Sequence, residues 1–131
     1  MQNSYLGLLG LAKRAGKLEV GDEAARAAIS AGKTRLVIIA SDVSDRTRET
    51  FEFIADSAGV ACVKVEETRA ELGNALGRRP TAVIAVCDIG LAAALAKNIS
   101  SVNEDAKNVA AALEEKSKKI AARKNKGKRK K

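Results

Sequence analysis

The chain contains no histidine, so the commonest general base and the commonest metal ligand are both absent. Its two cysteines, Cys62 and Cys87, lie far apart without CxxC spacing, each inside an apolar run. That reads as two small core residues rather than as metal ligands or a redox pair. The carboxylate pairs Asp22/Glu23 and Glu66/Glu67 fall where helices are expected to begin, and the positive end of the helix dipole favours acids there. The remaining Ser, Thr, Asp and Glu residues have no partner base, and neither GxGxxG nor GxxxxGKS/T occurs. These residues argue against an enzyme, a cofactor and a metal. What is left is the chemistry of anion recognition. Lys13 and Arg14 run into a Gly16-Lys17 turn, Gly21 stands directly before an Ala-rich segment, and Arg78-Arg79-Pro80 follow Gly77.

Gly21 carries the most information. A glycine just ahead of a helix lets a ligand approach the first turn closely, because no Cβ stands in the way. That turn also points unpaired N–H groups outward with a partial positive charge, which suits phosphates and base edges. The same residue also fits a plain reading, a tight turn from strand to helix.

Charge is distributed unevenly. Residues 114–131 hold ten Lys/Arg against Glu114 and Glu115, leaving fourteen of the 24 basic and fourteen of the 16 acidic residues in 1–113. The formal net charge of +8 therefore belongs to the C-terminal segment. A basic segment on a neutral body points to an anionic polymer as partner, with a merely solubilising tail as the alternative. Aromatic residues are limited to Tyr5, Phe51 and Phe53, which disfavours folds that stack bases on aromatic platforms. The apolar runs Leu36 to Ala40 and Ala82 to Cys87 are too short to span a bilayer. No signal-peptide pattern opens the chain, so a cytoplasmic location is expected.

The elements that must position these residues follow from the apolar pattern. A first helix, capped by Asn3 or Ser4, runs to Arg14 with Leu6, Leu8, Leu9, Leu11 and Ala12 on its apolar side, and Gly16 ends it. Leu18 to Val20 is a short strand. The second helix starts with Asp22 and Glu23 and stops at Gly32, with a small-residue face of Ala24, Ala25, Ala27, Ala28 and Ile29. Strands at Leu36–Ala40, Val60–Val65 and Ala82–Val86 alternate with helices over Asp45–Ala58, Glu67 or Thr68 to Leu76, and Ile89–Lys97 capped by Asp88. Continuous apolar strands belong to a sheet covered on both faces. The expected fold is therefore α/β, a three-layer α/β/α sandwich around a small mixed four-stranded sheet. Residues 1–100 form that body. Residues 101–131 form a basic tail, helical over NVAAALEEKSKKIAARK and disordered over KNKGKRKK.

The ordered set LLGLAKRAGKLEVG, LVIIASD, ELGNALG and VIAVCDIGLA resembles the L7Ae/L30e superfamily of ribosomal proteins, and in particular its small bacterial YlxQ-like members. The resemblance covers about residues 5–98 and leaves out the Lys-rich end. It implies an α/β/α sandwich that binds RNA, often a kink-turn, a sharply bent helix–internal loop–helix with sheared G·A pairs. It implies that the start of the second helix enters the groove at those pairs, here Gly21, Asp22, Glu23 and Arg26. The basic Gly-Lys turn before it matches Gly16-Lys17, with Lys17 as a phosphate contact, and Lys13, Arg14, Arg78, Arg79 and the basic tail would add salt-sensitive phosphate affinity. The loop before the last strand, Gly77, Arg78, Arg79, Pro80 and Thr81, would cover an extruded base. The family's Asn-Glu pair falls on Glu23 and Ala24, and its following Lys on Ala27 beside Arg26. Glu23 accepts hydrogen bonds but cannot donate them as Asn does, and Ala24 does neither.

The resulting expectation is a non-enzymatic RNA-binding protein. Its partner would be a structured ribosomal or non-coding RNA, with ribosome association and with neither a membrane nor a small-molecule substrate. The alternative is a protein-interaction domain of the same fold, whose Ala-rich second helix docks another protein.

Overall fold

The computed structural model describes residues 4–100 and 105–129, with side chains over 5–99 and 108–122; Asn3 lies outside them. The elements run α1 (Ser4–Arg14), β1 (Leu18–Val20), α2 (Asp22–Ser30), β2 (Leu36–Ile39), α3 (Asp45–Ser57), β3 (Ala61–Lys64), α4 (Arg69–Ala75), β4 (Val83–Val86), α5 (Ile89–Ser100) and α6 (Asp105–Arg129).

The four strands form one mixed sheet in the order β1-β4-β2-β3. β4 pairs antiparallel with both β1 and β2, and β2 pairs parallel with β3. The central strands β2 and β4 are buried at every position, which is why they read as unbroken apolar runs. Strand alternation then divides their side chains between two cores. Val37, Ile39, Val83 and Ala85 meet α2 and α3 through Ala25, Ala28, Ile29, Phe51 and Ala55. On the other face Leu36, Ile38, Ile84 and Val86 meet Tyr5, Leu9, Leu72, Leu95, Ile99 and Leu113. The architecture is the expected α/β/α sandwich.

The helix signals act locally as their chemistry dictates. Ser44 accepts from the Thr47 amide at the start of α3, Thr68 and Glu71 form a reciprocal capping box on α4, and the Asp88 carboxylate accepts from the Leu91 amide at the start of α5. Leu11, assigned to the apolar side of the first helix, is instead 55 % exposed. Tyr5 takes a place in that core and donates its hydroxyl to the Glu67 carboxylate. Burial and the neighbouring Glu67 hold that phenol far above its ordinary pKa.

Of the small-residue face of α2, Ala25, Ala28 and Ile29 are buried against the sheet, whereas Ala24 is half-buried and Ala27 exposed. Four residues separate α5 from α6, and the two helices pack as a hairpin lining a shallow groove between Ala93 and Lys97 on one side and Ala110 and Lys118 on the other. Leu113 reaches the core from α6, with Val109 and Ala110 packed beside it. The helix continues to Arg129, past the point where the composition suggests an end. Lys and Arg are good helix formers, and Asn125 and Gly127 are the weak positions of that stretch. Among the described residues no helix is long and apolar enough to cross a membrane.

Candidate nucleic-acid interface

Gly21 adopts φ 102° and ψ 165°, a backbone conformation that side-chain-bearing residues rarely adopt. It lets the chain leave β1 and enter α2 within one residue. Its amide donates to the Val83 carbonyl at 2.9 Å, so the first turn of α2 sits at the start of β4. Unlike α3, α4 and α5, α2 begins without a side-chain cap, so its first amides carry the donor capacity that a capping hydroxyl would absorb. Asp22 and Glu23 are exposed in that turn. Arg26 folds back onto Asp22 at 2.6 Å, and its guanidinium lies 5.2 Å from the centre of the Phe51 ring, a cation–π distance.

The segment from Gly77 to Ala82 comes to the same place by doubling back along α4. Gly77 takes φ 68°, and the Arg78 amide donates to the Gly73 carbonyl at 2.9 Å, a glycine-terminated helix end. Further on, the Thr81 amide donates to the Arg69 carbonyl at 2.9 Å, and the Thr81 hydroxyl to the Arg79 carbonyl at 3.0 Å. Gly73 makes this return possible. A Cβ built at that position would lie 2.2 Å from the Arg79 carbonyl oxygen and 2.9 Å from the Pro80 Cα. Arg78, Arg79 and Pro80 are all exposed, and among the described residues neither arginine enters an ion pair. The ELGNALG motif contains the signal for this arrangement, but the close approach that makes its first glycine indispensable spans two elements.

Two further segments meet here that the sequence did not single out. The Ala40 amide donates to the Ala82 carbonyl at 2.9 Å and the Ser41 amide to the Glu67 carbonyl at 2.9 Å. The Asp42 carboxylate accepts from the Arg69 backbone amide at 2.8 Å and pairs with the Arg69 side chain at 3.5 Å. That amide, chiefly, holds the Asp42 carboxyl below its ordinary pKa. The start of β4 is thus surrounded by the α2 first turn, the turn after β2, the start of α4 and the returning Arg78–Pro80 backbone.

Arg14 and Lys17 lie elsewhere. The Lys17 carbonyl accepts from the Cys87 amide at 2.8 Å, beside the other end of β4. Lys17 is separated from Gly21 by the length of β1, about 13 Å of extended chain. Gly21, Asp22, Glu23, Arg26, Gly77, Arg78, Arg79 and Pro80 therefore gather near the Val83 end of β4, and Arg14 and Lys17 near the Val86 end. Lys13 bridges part of the way, its Nζ donating to the Leu76 carbonyl at 3.2 Å at the end of α4.

The cysteines are half-buried and free. Burial pushes the Cys62 thiol up to about 12, with Glu52 adding to the effect. Cys87 is also raised, by burial and by Glu19, against an opposing pull from the Thr34 hydroxyl and Lys33. Thiols held this way stay protonated at neutral pH and react poorly. In native protein at pH 8, iodoacetamide is expected to modify Cys62 on the order of a thousandfold more slowly than an ordinary exposed thiol. Intact-mass spectrometry over time checks this, and alkylation of Cys62 at the rate of free cysteine would contradict it.

Comparison with known proteins matches the pattern of motifs and the fold. Residues 3–96 match the Ribosomal protein L7Ae/L30e/S12e/Gadd45 family, leaving α6 outside the matched region. The RNA-binding protein YlxQ of Enterococcus faecium is 33% identical over 87 residues, covering 66% of this chain and 82% of that protein. Its counterpart in Bacillus subtilis is 35% identical over 85 residues, covering 65% and 84%. The large ribosomal subunit protein eL30 of Aeropyrum pernix is 30% identical over 78 residues, covering 59% and 78%. A solved structure of a Bacillus halodurans protein of unknown function superposes with a TM-score of 0.71 at 34% identity, over 76% of this chain and 99% of that one. With the matching motifs in order on the matching sandwich, the chain belongs to the ribosomal protein L7Ae/L30e/S12e/Gadd45 family.

Proposed function

We propose that this chain is a non-enzymatic, cytoplasmic RNA-binding protein, associated with the ribosome or with a structured non-coding RNA. It reads a kink-turn-like element through the first turn of α2 and the returning segment Gly77–Pro80. The observation that carries this reading is the hydrogen bond from the Gly21 amide to the Val83 carbonyl. It sets an uncapped helix start beside a loop bearing two exposed arginines, so groove-edge donors and phosphate-binding cations face one RNA segment. The relatives described as RNA-binding proteins and as a ribosomal protein support the same partner. The body through residue 100 does the reading, and the basic segment after it adds phosphate affinity.

With Glu23 and Ala24 in the α2 turn, base-edge contacts are made by acceptors and backbone amides, and more of the affinity passes to phosphate contacts. Of the small-residue face of α2, Ala25, Ala28 and Ile29 are buried against the sheet, which leaves Ala24 and Ala27 to a docking partner and favours RNA over the protein-docking alternative.

The test is binding of a kink-turn RNA against an RNA of equal length whose internal loop is closed by Watson–Crick pairs. The full chain is expected to prefer the kink-turn. Arg79→Ala is expected to weaken binding several-fold and to reduce the salt slope by about 1, one phosphate contact. Equal affinity for the two RNAs, together with an unchanged slope in Arg79→Ala, overturns the reading.

A further inference from the structure

We propose that the opposite end of the sheet is a second RNA-contacting surface, a phosphate-binding pole built around Lys33 and Arg35. The proposal takes its partner, RNA, from the reading above but uses a different set of residues.

The pole is assembled by pairing on both sides of the last residues of β4. On the β2 side the Arg35 amide donates to the Val86 carbonyl at 2.7 Å, and on the β1 side the Lys17 carbonyl accepts from the Cys87 amide at 2.8 Å. Arg35 and Lys17 are therefore brought to the same edge of the sheet from either side of one strand, each about 4.8 Å from it. Lys33 lies close enough for its charge to act on the Cys87 thiol. Lys17 and Lys33 are exposed and Arg35 half-buried.

At the Val83 end Arg26 is paired with Asp22 and Arg69 with Asp42, while among the described residues Arg78 and Arg79 enter no ion pair. At the Val86 end, among the described residues, Arg14, Lys17, Lys33 and Arg35 enter no ion pair. Beside Cys87, Glu19 acts on the thiol and the Asp88 carboxylate already accepts from the Leu91 amide. Unpaired cations gathered on one edge are a surface for a polyanion, because neutralising phosphates releases counterions without first breaking an internal pair.

The backbone of α6 leads toward the same end. α5 begins just past the end of β4 and runs back along the sheet, and α6 packs on it as the second arm of a hairpin. α6 therefore heads toward the Val86 end. Beyond Lys118, which lines the shared groove, it continues to Arg129, roughly 16 Å at the helical rise. α5 reaches only from Ala93 back to Ile89 on that side, about 6 Å. The overshooting stretch 123–129 holds five Lys/Arg and no acid in its sequence. The two ends of the sheet face away from each other, so phosphates held at the pole belong to a different RNA segment from the one at α2. The chain thereby holds two segments of a folded RNA at once.

The test uses the full chain and two probes, a 20-base-pair RNA duplex without an internal loop and the kink-turn RNA, each titrated across a salt series. Lys33→Gln combined with Arg35→Gln is expected to weaken duplex binding several-fold and to lower its salt slope by about 2, with an unchanged melting temperature. Arg78→Gln combined with Arg79→Gln is expected to remove the kink-turn preference. Wild-type duplex affinity and slope in the Lys33/Arg35 variant overturn the pole. Loss of duplex binding in that variant, in a chain that shows no kink-turn preference, supports the pole and overturns the α2 reading instead.

Discussion

Replacing Gly73 with alanine is expected to lower the melting temperature by roughly 5–10 °C, from about 2 kcal/mol of overpacking. It should also weaken binding to a kink-turn RNA at least as much as Arg79→Ala. The added methyl would meet the Arg79 carbonyl oxygen at 2.2 Å and its carbonyl carbon at 2.7 Å. Both are backbone atoms, tied on one side by the Arg78 amide to Gly73 and on the other by the Thr81 amide to Arg69. Relief requires the whole returning segment to move off α4, and that segment carries Arg78 and Arg79. The internal control is Gly7→Ala. A Cβ at Gly7 meets nothing within 4 Å, so removing a helical glycine there is expected to be neutral or to stabilise by up to about 1 kcal/mol. Thermal unfolding followed by circular dichroism compares the two. Coincident melting curves for Gly73→Ala and wild type would show that the loop yields freely, and would remove it as a rigid part of the interface.

Phe51→Ala is the second large effect, expected to cost about 3–5 kcal/mol in urea unfolding. Phe51 is fully buried in the core between α2, α3 and the sheet, where its neighbours are mostly Ala and Val. Small side chains cannot collapse far into the space a ring leaves, so the cavity contribution is close to its upper range. Against a typical total of about 5–15 kcal/mol, the variant is left marginally stable. Phe51→Leu keeps most of the volume and is expected to cost less than about 1.5 kcal/mol. It also removes the ring over which Arg26 lies at 5.2 Å, so its RNA affinity reports how far that contact positions Arg26. A cost below about 1 kcal/mol for Phe51→Ala would mean that this core repacks easily, contrary to the tight packing described here.

Much of this molecule is legible residue by residue. The unbroken apolar runs at β2 and β4 announce strands buried on both faces. Ser44, Thr68 and Asp88 mark three helix starts because each supplies an oxygen to an amide only a few positions away. Gly21 and Gly77 mark the turns because only a residue without a side chain adopts those dihedrals at low cost. The ordered motifs identify the family for the same reason: they record local geometry, and local geometry repeats among relatives.

What the chain alone did not disclose is everything that depends on which end of a strand a residue reaches. Arg14, Lys17 and Gly21 are near neighbours in sequence and read as one basic entry to the second helix, yet β1 carries Gly21 to one end of β4 and leaves Lys17 at the other. Lys33 and Arg35 are distant from Lys17 in sequence, and only pairing across β4 brings Arg35 and Lys17 to the same edge of the sheet. Gly73 reads as an ordinary helical glycine until the Arg79 backbone is laid against it. The outward turn of Leu11 and the burial of Tyr5 follow from how α1 meets α4 and the sheet, not from a stripe on α1 itself. Caps, turns and strand periodicity arise from interactions within a few residues, so the sequence by itself determined them. The gathering of cations at two opposed ends arises from hydrogen-bonded pairing between strands distant in sequence, and only the tertiary structure decided it.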